Sequence, residues 1–194
     1  FEGFAEDAVS VAEADGAVRA EAVVLASPEI VNNSQRSGAP PRAPSGFENA
    51  TLLWQGEQVC LASCAGGGDS GAREGKLTAG IYWCEHKEGT PEYKAHNGRL
   101  DLDLSVVIFS GQWDFLGCCS YSHLTAPGLQ HSGDLTEAPF PNGAREKVDI
   151  DLGALRRGIP DAEHVVLTCH SYTRAKLSTF RDAAVYVAAG NAGG

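Results

Sequence analysis

The chain has 194 residues, 43% of them hydrophobic, and a formal charge of −10 with an isoelectric point near 5.0. That length buries a good core in one domain with extensions, or in two small domains. An acidic chain without a basic stripe excludes nucleic acid and anionic membrane surfaces as natural partners, and no apolar run approaches the roughly 18 residues that cross a bilayer.

The first thirty residues hold seven acidic side chains (Glu2, Glu6, Asp7, Glu13, Asp15, Glu21 and Glu29) against Arg19, and so carry −6 of the −10. The chain contains no methionine and begins at Phe1, which points to a processed product or a piece of something longer. No basic and then apolar leader is visible. Phe4–Ala12 (FAEDAVSVA) shares five of nine positions with Phe180–Ala188 (FRDAAVYVA), the pattern of a repeat cut by the chain start or of chance in Ala/Val-rich sequence. Residues 32–50, with three prolines, read as a linker, so 1–50 is expected to be an acidic N-terminal extension.

Residues 51–189 are expected to form the folded domain. TLLW and EQVCLA (51–62) alternate as strands, a glycine-rich loop follows at 65–75, and LTAGIYWCE (77–85) is a strong β-branched and aromatic strand. Strands recur near 101–109, 114–122, 146–152, 163–171 and 182–189, separated by Gly, Pro and Asn. That spacing predicts an all-β sandwich of two mainly antiparallel sheets. Only 152–157 reads as a helical turn, stopped by Gly158 and Pro160. The expected core includes Trp83, Val106, Ile108, Phe115, Leu116 and Val166, and 190–194 is expected to be a flexible tail.

The stretch Arg99–Asp134 carries the chemistry. Asp101 and Asp103 are spaced i, i+2 on a strand and share a face, and Asp134 closes the turn after His131-Ser132-Gly133. Convergent carboxylates repel unless a cation, a basic side chain or a proton neutralises them, and an all-oxygen set suits calcium. Cys60, Cys64, Cys84 and His86 offer a zinc set, against the ordinary reading of core cysteines and a surface histidine. Cys169 and His170 are strand neighbours that face opposite ways and cannot act as nucleophile and base for each other.

The order DLDLS plus apolar strand, CCSYSHL, APG, HSGD, VDIDL, LGALRRGIP and HVVLTCHSY resembles the TerD family of tellurium-resistance and stress-response domains, over roughly 77–189. The resemblance implies a β-sandwich that binds calcium through Asp101, Asp103 and Asp134 and has no established catalytic activity. The sequence does not name the compartment, an intracellular one (cytoplasmic or organellar) being favoured, and a protein partner without insertion in a membrane is expected. Where many family members have Gly-Asp-Asp-Glu, this chain reads Asn142-Gly143-Ala144-Arg145-Glu146. Two acidic positions are thereby replaced and calcium should bind more weakly. Arg145 then either neutralises the aspartates in place of the ion or points into solvent. A structural scaffold within a larger assembly is the competing expectation.

Overall fold

A computed structural model describes residues 21–25, 50–53, 58–60, 75–95, 99–175 and 180–189. The first copy of the repeat, most of the linker and of the glycine-rich loop, Cys64 and the tail lie outside the described residues. The elements in chain order are β1 (Glu21–Leu25), β2 (Ala50–Leu53), β3 (Gln58–Cys60), β4 (Lys76–Cys84), α1 (Pro91–Ala95), β5 (Leu102–Phe109), β6 (Phe115–Ser120), β7 (Thr125–Ala126), β8 (Leu129–His131), β9 (Ala144–Asp151), α2 (Leu152–Gly158), β10 (His164–Ser171) and β11 (Asp182–Ala189).

These strands form the expected all-β sandwich. One sheet has the order β3-β1-β10-β5-β6 and the other β2-β11-β4-β9-β8-β7. All pairings are antiparallel except β1 with β10. The segment read as an N-terminal extension therefore supplies a strand to the first sheet.

Alternation explains the core. Leu102, Leu104, Val106 and Ile108 face Leu77, Ala79, Ile81 and Trp83, with Val148, Ile150, Val165 and Leu167 filling between them. The indole N–H of Trp83, wholly buried, donates to the Leu100 carbonyl at 2.8 Å, so its polar atom is satisfied. Trp83, Val106, Ile108 and Val166 are buried as the sequence predicts.

Phe115 is not. It is 63% exposed, and Leu116 is only partly buried. The β5–β6 register shifts between Ile108, which faces Gly117, and Phe109, which faces Phe115. The extra residue is a bulge that resets the alternation, and successive strand residues cannot both point inward.

Among the described residues two short helices flank the sheets. In α2, Asp151 accepts from the Ala154 N–H at 2.8 Å and so caps the helix. The helix α1 follows Thr90, whose hydroxyl accepts from Tyr93 N–H at 3.3 Å, with Pro91 at the first position.

Gly143, just before β9, has φ 67, and a Cβ there would stand 2.3 Å from the Trp83 carbonyl oxygen. Gly143→Ala combines left-handed strain with a backbone clash, and should cost about 2 kcal/mol. Urea unfolding measures it, and a change within about 0.5 kcal/mol would show that the turn yields freely.

Candidate functional site

The site forms where β6 leaves β5. Pairing of β5 with β6 reaches Ser105, so among the described residues the start of β5 has no strand partner on that side. Glu146, projecting inward from β9, takes the place of the missing strand. Its Oε2 accepts from Leu104 N–H at 2.9 Å and its Oε1 from Leu135 N–H at 2.8 Å. The same carboxylate thus ties β5 to the loop that carries Asp134.

On the face of β5 opposite Leu102 and Leu104 stand Asp101 and Asp103, 2% and 3% exposed. Arg99 closes the arrangement. Its Nη2 is 3.0 Å from Asp101 Oδ2, and its Nε donates to the Thr136 carbonyl at 2.9 Å, which draws the 131–137 loop over the strand. Tyr172 N–H donates to the Asp101 carbonyl at 3.1 Å, and β10 pairs Asp103 directly with His170. The sequence-predicted trio therefore meets: one oxygen each from Asp101, Asp103 and Asp134 lies within 4.8 Å of the others. Among the described residues this is the one such group of three metal-ligating side chains.

Two carboxylate oxygens of these residues are buried and lack hydrogen-bond partners, Asp101 Oδ1 and Asp103 Oδ2. His170 Nε2 stands 3.1 Å from Asp103 Oδ2 but lacks the alignment of a hydrogen bond. Buried oxygens left unsatisfied are costly, and the three carboxylates are a group that could hold a metal ion. Calcium–oxygen distances of about 2.3–2.6 Å place opposed ligands up to about 5 Å apart, and one ion can span the trio.

The electrostatics agree. Burial above all, then the neighbouring Asp101 and Asp134, raises the Asp103 carboxyl, while His170 lowers it. Burial also pushes Glu146 up to about 7, against the lowering pull of its two backbone donors and with a further raising contribution from Asp103 and Asp134. His131 is driven down by burial. Its Nδ1 accepts from Gly133 N–H at 3.0 Å, which assigns the proton of the neutral ring to Nε2, 3.8 Å from Glu146 Oε2. Gly133, at φ 107, gives the turn its backbone freedom.

The chain matches no protein-family model and no curated protein.

Arg145 does not face the aspartates. It alternates with Glu146 on β9 and lies over the Tyr82 ring, 5.9 Å from its centroid, on the outer face. Arg99 and His170 supply the positive groups instead. The cysteines show no zinc set among the described residues: Cys84 is buried, its thiol pushed up by burial and its Sγ 3.4 Å from the Glu85 carbonyl. Burial, with Glu146 and Asp103 beside it, pushes the Cys169 thiol up to about 12, so it carries no thiolate at neutral pH.

Sequence reasoning missed Glu146, His131, Arg99 and His170. Glu146 was visible at the end of the NGARE run, but there it reads as the remnant of a lost acidic motif. The pairing of His170 with Asp103 follows from the β5–β10 register, which no local signal announces.

Proposed function

We propose that the chain is a non-catalytic, TerD-like binding module that holds a divalent cation, calcium by its oxygen chemistry, on Asp101, Asp103 and Asp134. The observation that carries this is the pair of buried oxygens on Asp101 and Asp103 that accept no hydrogen bond beside a third carboxylate. In this reading the ion replaces carboxylate repulsion with attraction and ties β5 to the 131–137 loop, so cation binding is read out as loop order. A role in stress response follows from the resemblance alone. Among the described residues no helix is long and apolar enough to cross a membrane.

With three carboxylates and no acidic pair before β9, affinity should lie near the weak, millimolar end of calcium sites. At 10 mM calcium and a dissociation constant of about 1 mM, stabilisation is about 1.4 kcal/mol, or a melting shift of about 3–6 °C. Calorimetric titration and thermal melts of the 194-residue chain should show both, and Asp101→Asn/Asp103→Asn should remove them. A shift that survives the double substitution would move the site elsewhere.

A second reading has its own support. Arg99 at 3.0 Å from Asp101 and His170 at 3.1 Å from Asp103 already bring positive groups to two of the three carboxylates. In that reading the domain is a scaffold subunit that uses the sandwich as a protein-interaction platform, with its metal site partly replaced from within. No calcium effect up to 10 mM, together with unchanged stability on adding chelator, is the result that would select it.

A further inference from the structure

The far end of β5 carries a feature that the cation site does not use. Asp103 and Phe109 are six residues apart, about 20 Å along a strand. There β5 and β6 are joined by a tight turn. Trp113 N–H donates to the Ser110 carbonyl at 3.0 Å, Ser110 N–H to the Asp114 carbonyl at 2.9 Å, and the Ser110 hydroxyl accepts from Gln112 N–H and Asp114 N–H. The turn holds Trp113 at φ 66, a left-handed backbone uncommon for a bulky residue. The indole stands out of the core, 45% exposed.

The indole is also oriented. It stacks on the His164 ring at 4.2 Å and 6°, and Phe109 lies 5.7 Å away, tilted by 53°. Phe115, the outward product of the bulge, stands edge-on to Phe109 at 6.4 Å and 80°. Two chain segments build this face, joined by Glu163 N–H to the Phe109 carbonyl at 3.0 Å.

Carboxylates rim it. Asp114 Oδ2 is 3.3 Å from the Ser110 hydroxyl. The Glu163 carboxylate lies against Gly111, where a Cβ would come within 2.4 Å of its Oε2. Both residues are exposed. The segments 110–115 and 161–164 contain Asp114, Asp161 and Glu163 and no lysine or arginine.

Exposed, pre-oriented aromatic rings with carboxylates at the rim are complementary to an organic cation. The ring faces are electron-rich, tryptophan most of all, and guanidinium stacks on them. We propose that this face docks an arginine-bearing segment of a partner protein, the cation lying on the Trp113 and Phe115 rings and pairing with Asp114 and Glu163. A second copy of this chain fits poorly, because a two-fold contact brings the same acidic rim against itself on a molecule of net charge −10. Anionic lipid is disfavoured for the same reason.

The test is calorimetric titration of the full chain with an eight-residue peptide of alternating arginine and glycine, and with its citrulline counterpart. Saturable binding of the arginine peptide alone is expected. Trp113→Ala should weaken it roughly tenfold, as should Asp114→Asn/Glu163→Gln, which leaves the rings and the fold in place. Asp101→Asn/Asp103→Asn should leave it unchanged, which separates this face from the cation site and makes the two readings fail independently. Equal binding of the citrulline peptide, or binding that both patch variants retain, overturns the proposal. So does concentration-dependent dimerisation lost in Trp113→Ala, which would make the face a self-interface.

Discussion

Glu146→Ala is expected to destabilise the sandwich by about 3–5 kcal/mol at pH 5. The side chain is fully buried and accepts from two backbone N–H groups on different elements, Leu104 on β5 and Leu135 in the Asp134 loop. Truncation leaves both donors without partners, at about 1–3 kcal/mol each, and opens a cavity the strands cannot fully close. Because the same residue docks the Asp134 loop, the variant should also lose the calcium response even though Asp101, Asp103 and Asp134 are intact. Glu146→Gln should fall between: its carbonyl keeps one acceptor, while its amide group turns a donor toward the other N–H. Urea unfolding at pH 5 decides it. A loss below about 1 kcal/mol would mean that water or another acceptor reaches both N–H groups.

Glu146 also shows where a sequence stops being legible. The sandwich itself was readable, because β-branched and aromatic runs punctuated by Gly and Pro leave few alternatives. Asp101 and Asp103 were readable as a pair from the strand period of two. Their near-complete burial was not, since it depends on Arg99 reaching across to Thr136 and on His170 arriving in register from β10. Phe115 was misplaced because a bulge changes alternation without changing composition. The hairpin of β7 and β8 around Pro127-Gly128 was missed because its strands are too short for periodicity. Glu85 makes the same point as Glu146. It is buried, and its Oε1 accepts from Leu100 N–H at 3.2 Å and Ala138 N–H at 3.1 Å. An isolated glutamate carries no local sign that it will close backbone gaps between distant elements.

Stability should fall as pH rises through the range of Glu146, opposite to the usual behaviour of a carboxylate in an ion pair. The ordinary value is 4.5 and the folded value about 7. Between those limits the unfolded chain has released the proton while the folded protein retains it. The native state then binds more protons, so unfolding free energy decreases with pH. That separation corresponds to about 3 kcal/mol, fully present below about pH 4.5 and lost by about pH 8. Asp103, also raised, acts in the same direction. His131, lowered by burial, opposes it, because a ring buried neutral loses stability as pH falls below about 6.5. The Glu146 part is isolated as the difference between the native chain and Glu146→Gln, followed by urea unfolding from pH 4.5 to 8 in the presence of chelator. That difference should shrink by about 3 kcal/mol as pH rises, the native advantage being greatest in acid. A difference independent of pH would show that Glu146 is ionised in the folded state throughout, and that its two backbone donors outweigh the cost of burying its charge.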